Sequence, residues 1–232
     1  MIERELLKTF VSSDSPAFFN NIDNEDAVKQ FKGFSEFMMM YSCAIREVRT
    51  KFEVLNDDFS VAYRRNPIEM IKSRVKSPVS IVGKLKRKNL PLTMDSVLEN
   101  LNDVAGVRVI CSFIDDIYMI ADMLTSQDDI TLIETKDYIK NPKPNGYRSY
   151  HMIIEIPVFF SNRKQNMRVE IQLRTIAMDF WASLEHKMHY KKDLKGADIL
   201  EKELAVCADV IASTDEKMQK INYELAHLSD DV

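Results

Sequence analysis

The sequence predicts an α/β (α+β) protein in which a mixed β-sheet is flanked by helices. Three observations lead to this fold class. Apolar residues recur every three or four positions from 25 to 55, which is typical of one long amphipathic helix. Short strand-like runs then alternate with helical ones, and two further helical stretches follow them. With 232 residues, of which 45% are hydrophobic, the chain can bury a sizeable core.

The individual elements follow from local patterns along the chain. Ser77-Pro78 predicts a helix start, because serine caps a helix and proline suits its first position. Asn141 to Gly146 contains two prolines and a glycine, which predicts a turn-rich loop. Strands are predicted at 73–76, 105–113, 130–135, 148–159 and 167–174. After a loose segment at 12–24, helices are predicted at 25–55, 78–89, 94–101, 116–126, 176–190 and 197–228.

The chain divides into three predicted parts: an N-terminal helical extension (1–60), a central domain (61–192) and a C-terminal helix (193–232). Its net charge of −4 and pI of about 5.7 argue against bulk attraction to nucleic acid. The sequence contains no apolar run long enough to span a membrane, and Met1-Ile-Glu-Arg-Glu is unlike a signal peptide. We therefore expect a cytoplasmic protein with no membrane partner.

Polar side chains share one face on each of two neighbouring predicted strands. Alternate side chains of a strand point the same way. One face of the first strand carries Tyr147, Ser149 and His151. Polar and apolar residues alternate on the second strand, and its polar face carries Glu170, Gln172 and Arg174. Such a row is hard to explain as packing, and it predicts the floor of a binding site.

A basic segment has the complementary chemistry, with seven basic and no acidic residues from Lys72 to Lys88. Arg74 and Lys76 alternate on a predicted strand. One face of the following helix, at i, i+4 and i+7, carries Ser80, Lys84 and Arg87. Converging ammonium and guanidinium groups suit a polyphosphate. A solvated basic patch or a nucleic-acid surface would have the same composition, so this segment alone leaves the alternatives open.

Asp103 stands at the mouth of an apolar strand from which Arg108 projects. By itself, Asp103 is better explained as a turn residue between a helix and a strand. Combined with Glu170 from a later strand, it offers two carboxylates that could hold Mg²⁺, the usual companion of nucleoside triphosphates.

In order along the chain, these motifs resemble the synthetase domain of the RelA/SpoT alarmone enzymes, over roughly residues 65 to 192. The length of the chain resembles that of the small alarmone synthetases of the RelP and RelQ types. The resemblance rests on four linked motifs: Arg74-x-Lys76 with Ser80, Lys84 and Arg87; Asp103-x-Ala-Gly-x-Arg108; Gly146-Tyr147-Arg148-Ser149-Tyr150-His151; and Glu170-x-Gln172-x-Arg174-Thr175.

The resemblance implies a nucleotidyltransferase-like synthetase domain that acts as a pyrophosphokinase with Mg²⁺. Such an enzyme moves the β,γ-pyrophosphate of ATP to the 3′-hydroxyl of GDP or GTP and makes ppGpp or pppGpp. Synthesis only is expected, because the family's hydrolase activity needs a His-Asp motif that this sequence lacks. Two alternatives stay open: pyrophosphorylation of the 3′ end of tRNA, as in some relatives, and an RNA-binding regulatory protein.

The resemblance also implies a role for each motif residue. ATP would be bound by Arg74, Lys76, Ser80, Lys84, Arg87 and Arg108. Asp103 and Glu170 would bind the metal, with Glu170 also the base for the 3′-hydroxyl. The guanosine nucleotide would be bound by Lys143, Tyr147, His151, Gln172 and Asp179. Asp179 departs from some close relatives, which carry Asn there, so the preference among GMP, GDP and GTP stays open.

Assembly is a further implication, since the small synthetases form homotetramers. We expect the N- and C-terminal helices to supply the contacts. In part of the family a cleft of the tetramer binds alarmone, and the stretch 68–73 would lie near it. Met70 and Lys72 differ from the Phe and Thr of the activated type, which favours the type that its product does not activate. Alarmone and RNA both stay open as regulators.

Overall fold

The computed structural model of the protein describes residues 24–63, 65–189 and 197–230. The strands within these ranges are β1 (Ile68–Val75), β2 (Ala105–Cys111), β3 (Thr131–Asp137), β4 (Tyr150–Phe159) and β5 (Lys164–Thr175). The helices there are α1 (Asn24–Tyr63), α2 (Pro78–Arg87), α3 (Met94–Asn100), α4 (Ile114–Thr125), α5 (Ile176–His189) and α6 (Ala197–Asp230). Residues 12–23 of the predicted loose segment lie outside the described residues.

The five strands form one mixed sheet in the order β1-β2-β5-β4-β3. The central pair, β2 and β5, is parallel, and the other neighbours are antiparallel. The predicted fold class is therefore confirmed. The pairing of β2 with β5 joins segments that are about sixty residues apart in sequence, and it brings the region after Asp103 beside Glu170.

The core lies on one face of the sheet, under α1 and α4. Alternating residues of β2, β5 and β4 point into it, among them Val109, Ile171 and Ile154, each without exposed surface. The helices supply Tyr41, Val48, Phe52, Ile117 and Leu124 to the same cluster. Burial of these apolar side chains fixes which face of each strand is turned away from water. The polar residues at the intervening positions are thereby placed on the opposite face.

β1 is longer than the sequence predicts, because it begins at Ile68 and not at residue 73. It pairs with β2 from Ile68 opposite Cys111 to Val75 opposite Ala105. As an edge strand it is mostly exposed and lacks the apolar alternation that marks a half-buried strand. Backbone pairing with β2 decides its length, and that pairing leaves no periodic signal in the sequence.

α6 packs beside α5 and reaches the loop that precedes β4. Thr175 caps α5 by accepting a hydrogen bond from the Met178 amide at 3.1 Å, and it donates to Asp215 of α6 at 2.6 Å. The Trp181 indole of α5 donates to the Leu204 carbonyl of α6 at 2.9 Å. These buried contacts hold α6 against the functional end of the sheet.

In the part of the chain that the structure describes, no helix is long and apolar enough to cross a membrane.

Candidate active site

Strand register sets two rows of residues across the face of the sheet opposite α1 and α4. The first row is Lys72, Arg108, Gln172, His151 and Lys136. The second row is Arg74, Gly106, Glu170, Ile153 and Glu134. Since neighbouring strands lie about 4.8 Å apart, each row spans roughly 19 Å. Side chains from distant parts of the sequence thus form one polar surface.

Two clefts open on this surface, and Glu170 lines both of them. The first cleft, of about 240 Å³, is lined by Lys72, Ser73, Arg74, Asp103, Gly106, Val107, Arg108, Glu170 and Gln172. The second cleft, of about 200 Å³, is lined by Glu134, Lys136, Tyr138, Lys143, His151, Met152, Ile153 and Glu170. One carboxylate therefore forms a wall that two separate polar cavities share.

Asp103 joins the basic segment to the first cleft. Lys76 Nζ lies 2.6 Å and Lys84 Nζ 2.7 Å from the same carboxylate oxygen, Oδ2. Burial raises the pKa of Asp103, but the hydrogen bonds and charges of the two lysines outweigh burial and leave this pKa below its ordinary value. Asp103 is therefore an anion that holds two phosphate-binding candidates in place.

The other oxygen of Asp103 has different surroundings. Oδ1 is buried and has no hydrogen-bond partner in the structure. A buried carboxylate oxygen without a partner is costly, so it fits a site completed by a cation. The described residues contain no group of three or more His, Cys, Asp or Glu suited to a metal. Asp103 and Glu170 both line the first cleft, and two carboxylates are a ligand set that Mg²⁺ accepts, because this ion keeps waters and takes substrate phosphates as its other ligands.

Glu170 is held by its neighbour in the same strand. Gln172 Nε2 donates to Glu170 Oε2 at 3.0 Å. The Gln172 carbonyl oxygen in turn accepts from Arg108 at 3.2 and 3.3 Å and from Arg174 at 3.3 Å. The polar face predicted for Glu170, Gln172 and Arg174 is therefore present, and its side chains bond to one another. This network fixes the direction of the Glu170 carboxylate.

His151 lies on the second cleft, in a position that disfavours its charge. Burial, together with the nearby cations Arg174, Lys143, Lys136 and Arg108, lowers the pKa of His151 to about 3. Its Nε2 is 2.8 Å from the Tyr147 hydroxyl, and its Nδ1 is 3.9 Å from Glu170 Oε1. A neutral imidazole can donate only one N–H, so Lys136 and Lys143 supply the positive charge of this cleft.

Tyr147 is packed and hydrogen-bonded as well as aromatic. Its hydroxyl accepts a hydrogen bond from Arg174 Nη2 at 2.7 Å. The Lys143 ammonium lies 4.8 Å, and the Arg174 guanidinium carbon 5.1 Å, from its ring centroid. Trp181 and Ala208 pack against it. A base that stacks on Tyr147 would therefore displace one of these two cations, of which Lys143 lies in the loop between β3 and β4 and Arg174 lies in β5.

Asp179 is the most enclosed carboxylate of the site, with a side chain 8% exposed. Oδ1 accepts from Arg108 Nη1 and from Arg174 Nη1, both at 3.1 Å, and Oδ2 accepts from Lys72 Nζ at 2.9 Å. Burial raises the pKa of Asp179, yet the lysine and the two arginines together leave this pKa below its ordinary value. The sequence-based reading of Asp179 as a residue open to a ligand omitted these three cations.

The remaining predicted site residues occupy different surroundings. Ser149 has no exposed surface and lines neither cleft, because its hydroxyl donates to the Leu173 carbonyl at 3.2 Å and accepts from Arg174 Nε at 3.4 Å. Gln172 lines the first cleft and not the second. Ser80 and Arg87 lie at exposed positions of α2, where Ser80 bonds to Ser77.

Three polar residues that line the second cleft were missed by sequence reasoning: Glu134, Lys136 and Tyr138. The strand predicted at 130–135 ends too early, since β3 continues to Asp137 and pairs Lys136 with His151. Glu134 and Lys136 alternate in this strand and form an ion pair at 2.8 Å. Their alternation, continued one residue further, is the signal that would have found them.

Comparison with known proteins gives a match to the family model described as the region found in RelA/SpoT proteins, over residues 73–195. The chain belongs to the RelA/SpoT family. The match contains Arg74 and Lys76 at its beginning and Asp179 near its end. All the residues of the two central strands of the sheet, and with them the wall between the clefts, lie within it.

Individual RelA/SpoT relatives agree with this placement. The chain is 47% identical, over 81% of its length and 90% of the relative, to the GTP pyrophosphokinase YwaC of Bacillus subtilis. The crystal structure of B. subtilis small alarmone synthetase 2 is 46% identical, with a TM-score of 0.74, over 82% of this chain and 98% of that one. Small alarmone synthetase 1, solved with its product pppGpp, is 33% identical, with a TM-score of 0.76, over 83% and 98%.

Proposed function

We propose that this protein is a GTP pyrophosphokinase, which transfers the β,γ-pyrophosphate of ATP to the 3′-hydroxyl of GDP or GTP. The single observation that carries the proposal is the position of Glu170 between two polar clefts. A transfer between two nucleotides needs two adjoining sites and a base at their boundary. Relatives named GTP pyrophosphokinase, and a similar structure bound to pppGpp, support the same activity.

We assign the first cleft to ATP. Arg74 of β1 and Arg108 of β2 both line this cavity, and their planar guanidinium groups are suited to stacking on adenine. Lys76 and Lys84 converge beside it on Asp103, so their ammonium groups are positioned for phosphates. Ser80 and Arg87, exposed on α2, extend this basic surface.

We assign the second cleft and the adjoining aromatic residues to the guanosine nucleotide. Lys136 and Lys143 provide charge for its 5′-phosphates, and neutral His151 can donate one hydrogen bond. Tyr147 supplies the stacking surface, and stacking on a base contributes roughly 1–3 kcal/mol. Asp179 can accept hydrogen bonds from the N1 and N2 hydrogens of guanine. Adenine does not offer this pair of neighbouring donors, so the carboxylate favours guanine.

The chemistry follows from the position of Glu170. Its carboxylate takes the proton of the 3′-hydroxyl while the 3′-oxygen bonds to the β-phosphorus of ATP and AMP leaves. Asp103 and Glu170 would hold Mg²⁺, which neutralises charge on the phosphate oxygens when bound. The lysines and arginines of the first cleft keep the triphosphate in line and neutralise the remaining charge. We propose synthesis without hydrolysis of the alarmone.

The decisive experiment is incubation with γ-³²P-ATP and Mg²⁺, together with GMP, GDP, GTP or deacylated tRNA in separate reactions, resolved by thin-layer chromatography. We expect label on GDP or GTP and none on tRNA. Labelled pppGpp incubated with the enzyme alone should remain intact. Label on tRNA alone would identify a different acceptor, and no label on any acceptor would contradict the proposed activity.

We also propose a homotetramer and a cytoplasmic location, where ATP and GTP are available. The outer side of α6 exposes apolar residues at helical spacing: Val206, Val210, Ile221, Leu225 and Leu228. Exposed apolar surface of this length is typical of an interface. Size-exclusion chromatography with light scattering should give four times the chain mass of 26.9 kDa. A monomer would contradict the assembly and, with it, regulation by alarmone at a central cleft.

A further inference from the structure

Lys72 stands between the two proposed nucleotide sites. It lines the first cleft beside Arg74, and its ammonium nitrogen lies 2.9 Å from Asp179 Oδ2. Its side chain is 48% exposed, whereas that of Asp179 is 8% exposed. A single flexible cation therefore lines the ATP cleft while it is paired with the carboxylate assigned to guanine.

The two oxygens of Asp179 are held in different ways. Oδ1 accepts from Arg108 and Arg174, and both guanidinium groups are anchored by further bonds, to Gln172 in each case. Oδ2 accepts from Lys72. The lysine reaches it through an exposed chain of four methylenes, which can turn away at little cost. Oδ2 is thus the oxygen that can be released.

Release of Oδ2 is what a guanine would require. Oδ1 keeps both of its arginine donors, so the N1 and N2 hydrogens of guanine must both be accepted at Oδ2, which the ammonium of Lys72 occupies. A triphosphate in the first cleft offers Lys72 an alternative partner with several negative charges. Charge-assisted bonds to phosphate are among the stronger ones available to an ammonium. The lysines assigned to the phosphates, Lys76 and Lys84, gather at Asp103 and not at Asp179, so an ammonium of Lys72 that turns toward the phosphates leaves Asp179 Oδ2.

We propose that Lys72 is a positioning residue that couples the two sites. In the empty enzyme it occupies Asp179 Oδ2, and the phosphates of ATP draw it away and free that oxygen for guanine. The inference rests on the proposed function. ATP binding then strengthens binding of the guanosine nucleotide, and by linkage the guanosine nucleotide strengthens ATP binding by the same factor.

The test is calorimetric binding of GDP in the absence and presence of saturating α,β-methylene ATP, whose α–β linkage resists transfer. Wild-type protein should bind GDP at least about fivefold more tightly with the analogue, within the usual range of such coupling. Lys72→Met keeps the apolar stem and removes the charge. This variant should bind GDP without the analogue as tightly as wild type does with it, and the ratio should fall to about one.

Lys86→Met, at an exposed position of α2, removes the same charge outside both clefts and should keep the wild-type ratio. If Lys72→Met retains the wild-type ratio, or binds GDP more weakly than wild type, the coupling role is wrong. If wild type binds both nucleotides with no coupling, the inference fails while the proposed function stands. If wild type binds neither nucleotide, the proposed function itself fails.

Discussion

Gly146 lies so close to Ala208 of α6 that a Cβ on the glycine would meet the alanine Cβ at 2.4 Å. Gly146 also has a φ of +85°, which side-chain-bearing residues rarely adopt. Arg148, two residues further on, donates to the Ala208 carbonyl at 3.4 Å. The loop that presents Lys143 and Tyr147 is therefore shaped by a helix more than fifty residues later in the sequence.

Gly146→Ala should weaken use of the guanosine nucleotide. The clash with Ala208 and the strained φ, which costs roughly 1–2 kcal/mol, would displace the loop and Tyr147 with it. We expect KM for GDP to rise at least about tenfold, with the Kd of α,β-methylene ATP unchanged. Gly33→Ala is the matched control, since its Cβ would meet Met94 at an ordinary 3.7 Å. Equal losses for both nucleotides would refute this account of the loop.

Gly106→Ala should separate activity from stability. Its Cβ would meet the Arg74 carbonyl oxygen at an ordinary 3.8 Å, so the fold tolerates the methyl group. The methyl would nevertheless enter the first cleft between Arg74 and Glu170, its neighbours in the second row. We expect the melting temperature to stay within about 2 °C and the affinity for α,β-methylene ATP to fall at least about tenfold. Retained affinity would show that nucleotide does not approach the backbone here.

Glu170→Gln should reduce kcat by about 10²–10⁴-fold, the usual contribution of a positioned general base. The amide keeps the size of the side chain, so KM for both nucleotides should change by no more than a few-fold. Glu155→Gln, a position in β4 that pairs with Arg168 outside the clefts, should keep wild-type kcat. Steady-state assays at saturating Mg²⁺ give the comparison. If Glu170→Gln turned over at the wild-type rate, Glu170 would not be the general base.

The His151 pKa of about 3 predicts a pH dependence of stability. In the unfolded chain the imidazole of His151 is protonated below about pH 6.5, whereas in the folded protein it stays neutral down to about pH 3. Proton uptake therefore favours the unfolded chain, and the free energy of unfolding falls as pH drops from about 6.5 toward 3. His151→Gln removes this contribution. Urea unfolding of both proteins at several pH values should show the wild type losing stability relative to the variant over that interval. Parallel curves would mean that His151 titrates normally in the fold.

Sequence periodicity accounts for most of the elements. Long α1 and α6 follow from apolar residues at three- and four-residue spacing, and β5 follows from strict alternation through Glu170 and Gln172. β1 and β3 were predicted too short, because edge strands carry polar residues on both sides and their ends are set by pairing. Local patterns therefore located the elements, and neighbouring strands set their ends.

By itself, the sequence determined the fold class and the chemical character of the site. Residue types and their spacing were enough to predict the chemistry of the basic segment, of Asp103 and of Glu170. Only the tertiary structure decided the contacts: that Glu170 separates two clefts, that His151 is held neutral, and that Lys72 meets Asp179. Those relations depend on strand register and on the approach of α5 and α6. Register and helix approach arise from packing between segments far apart in the chain, which no local pattern records.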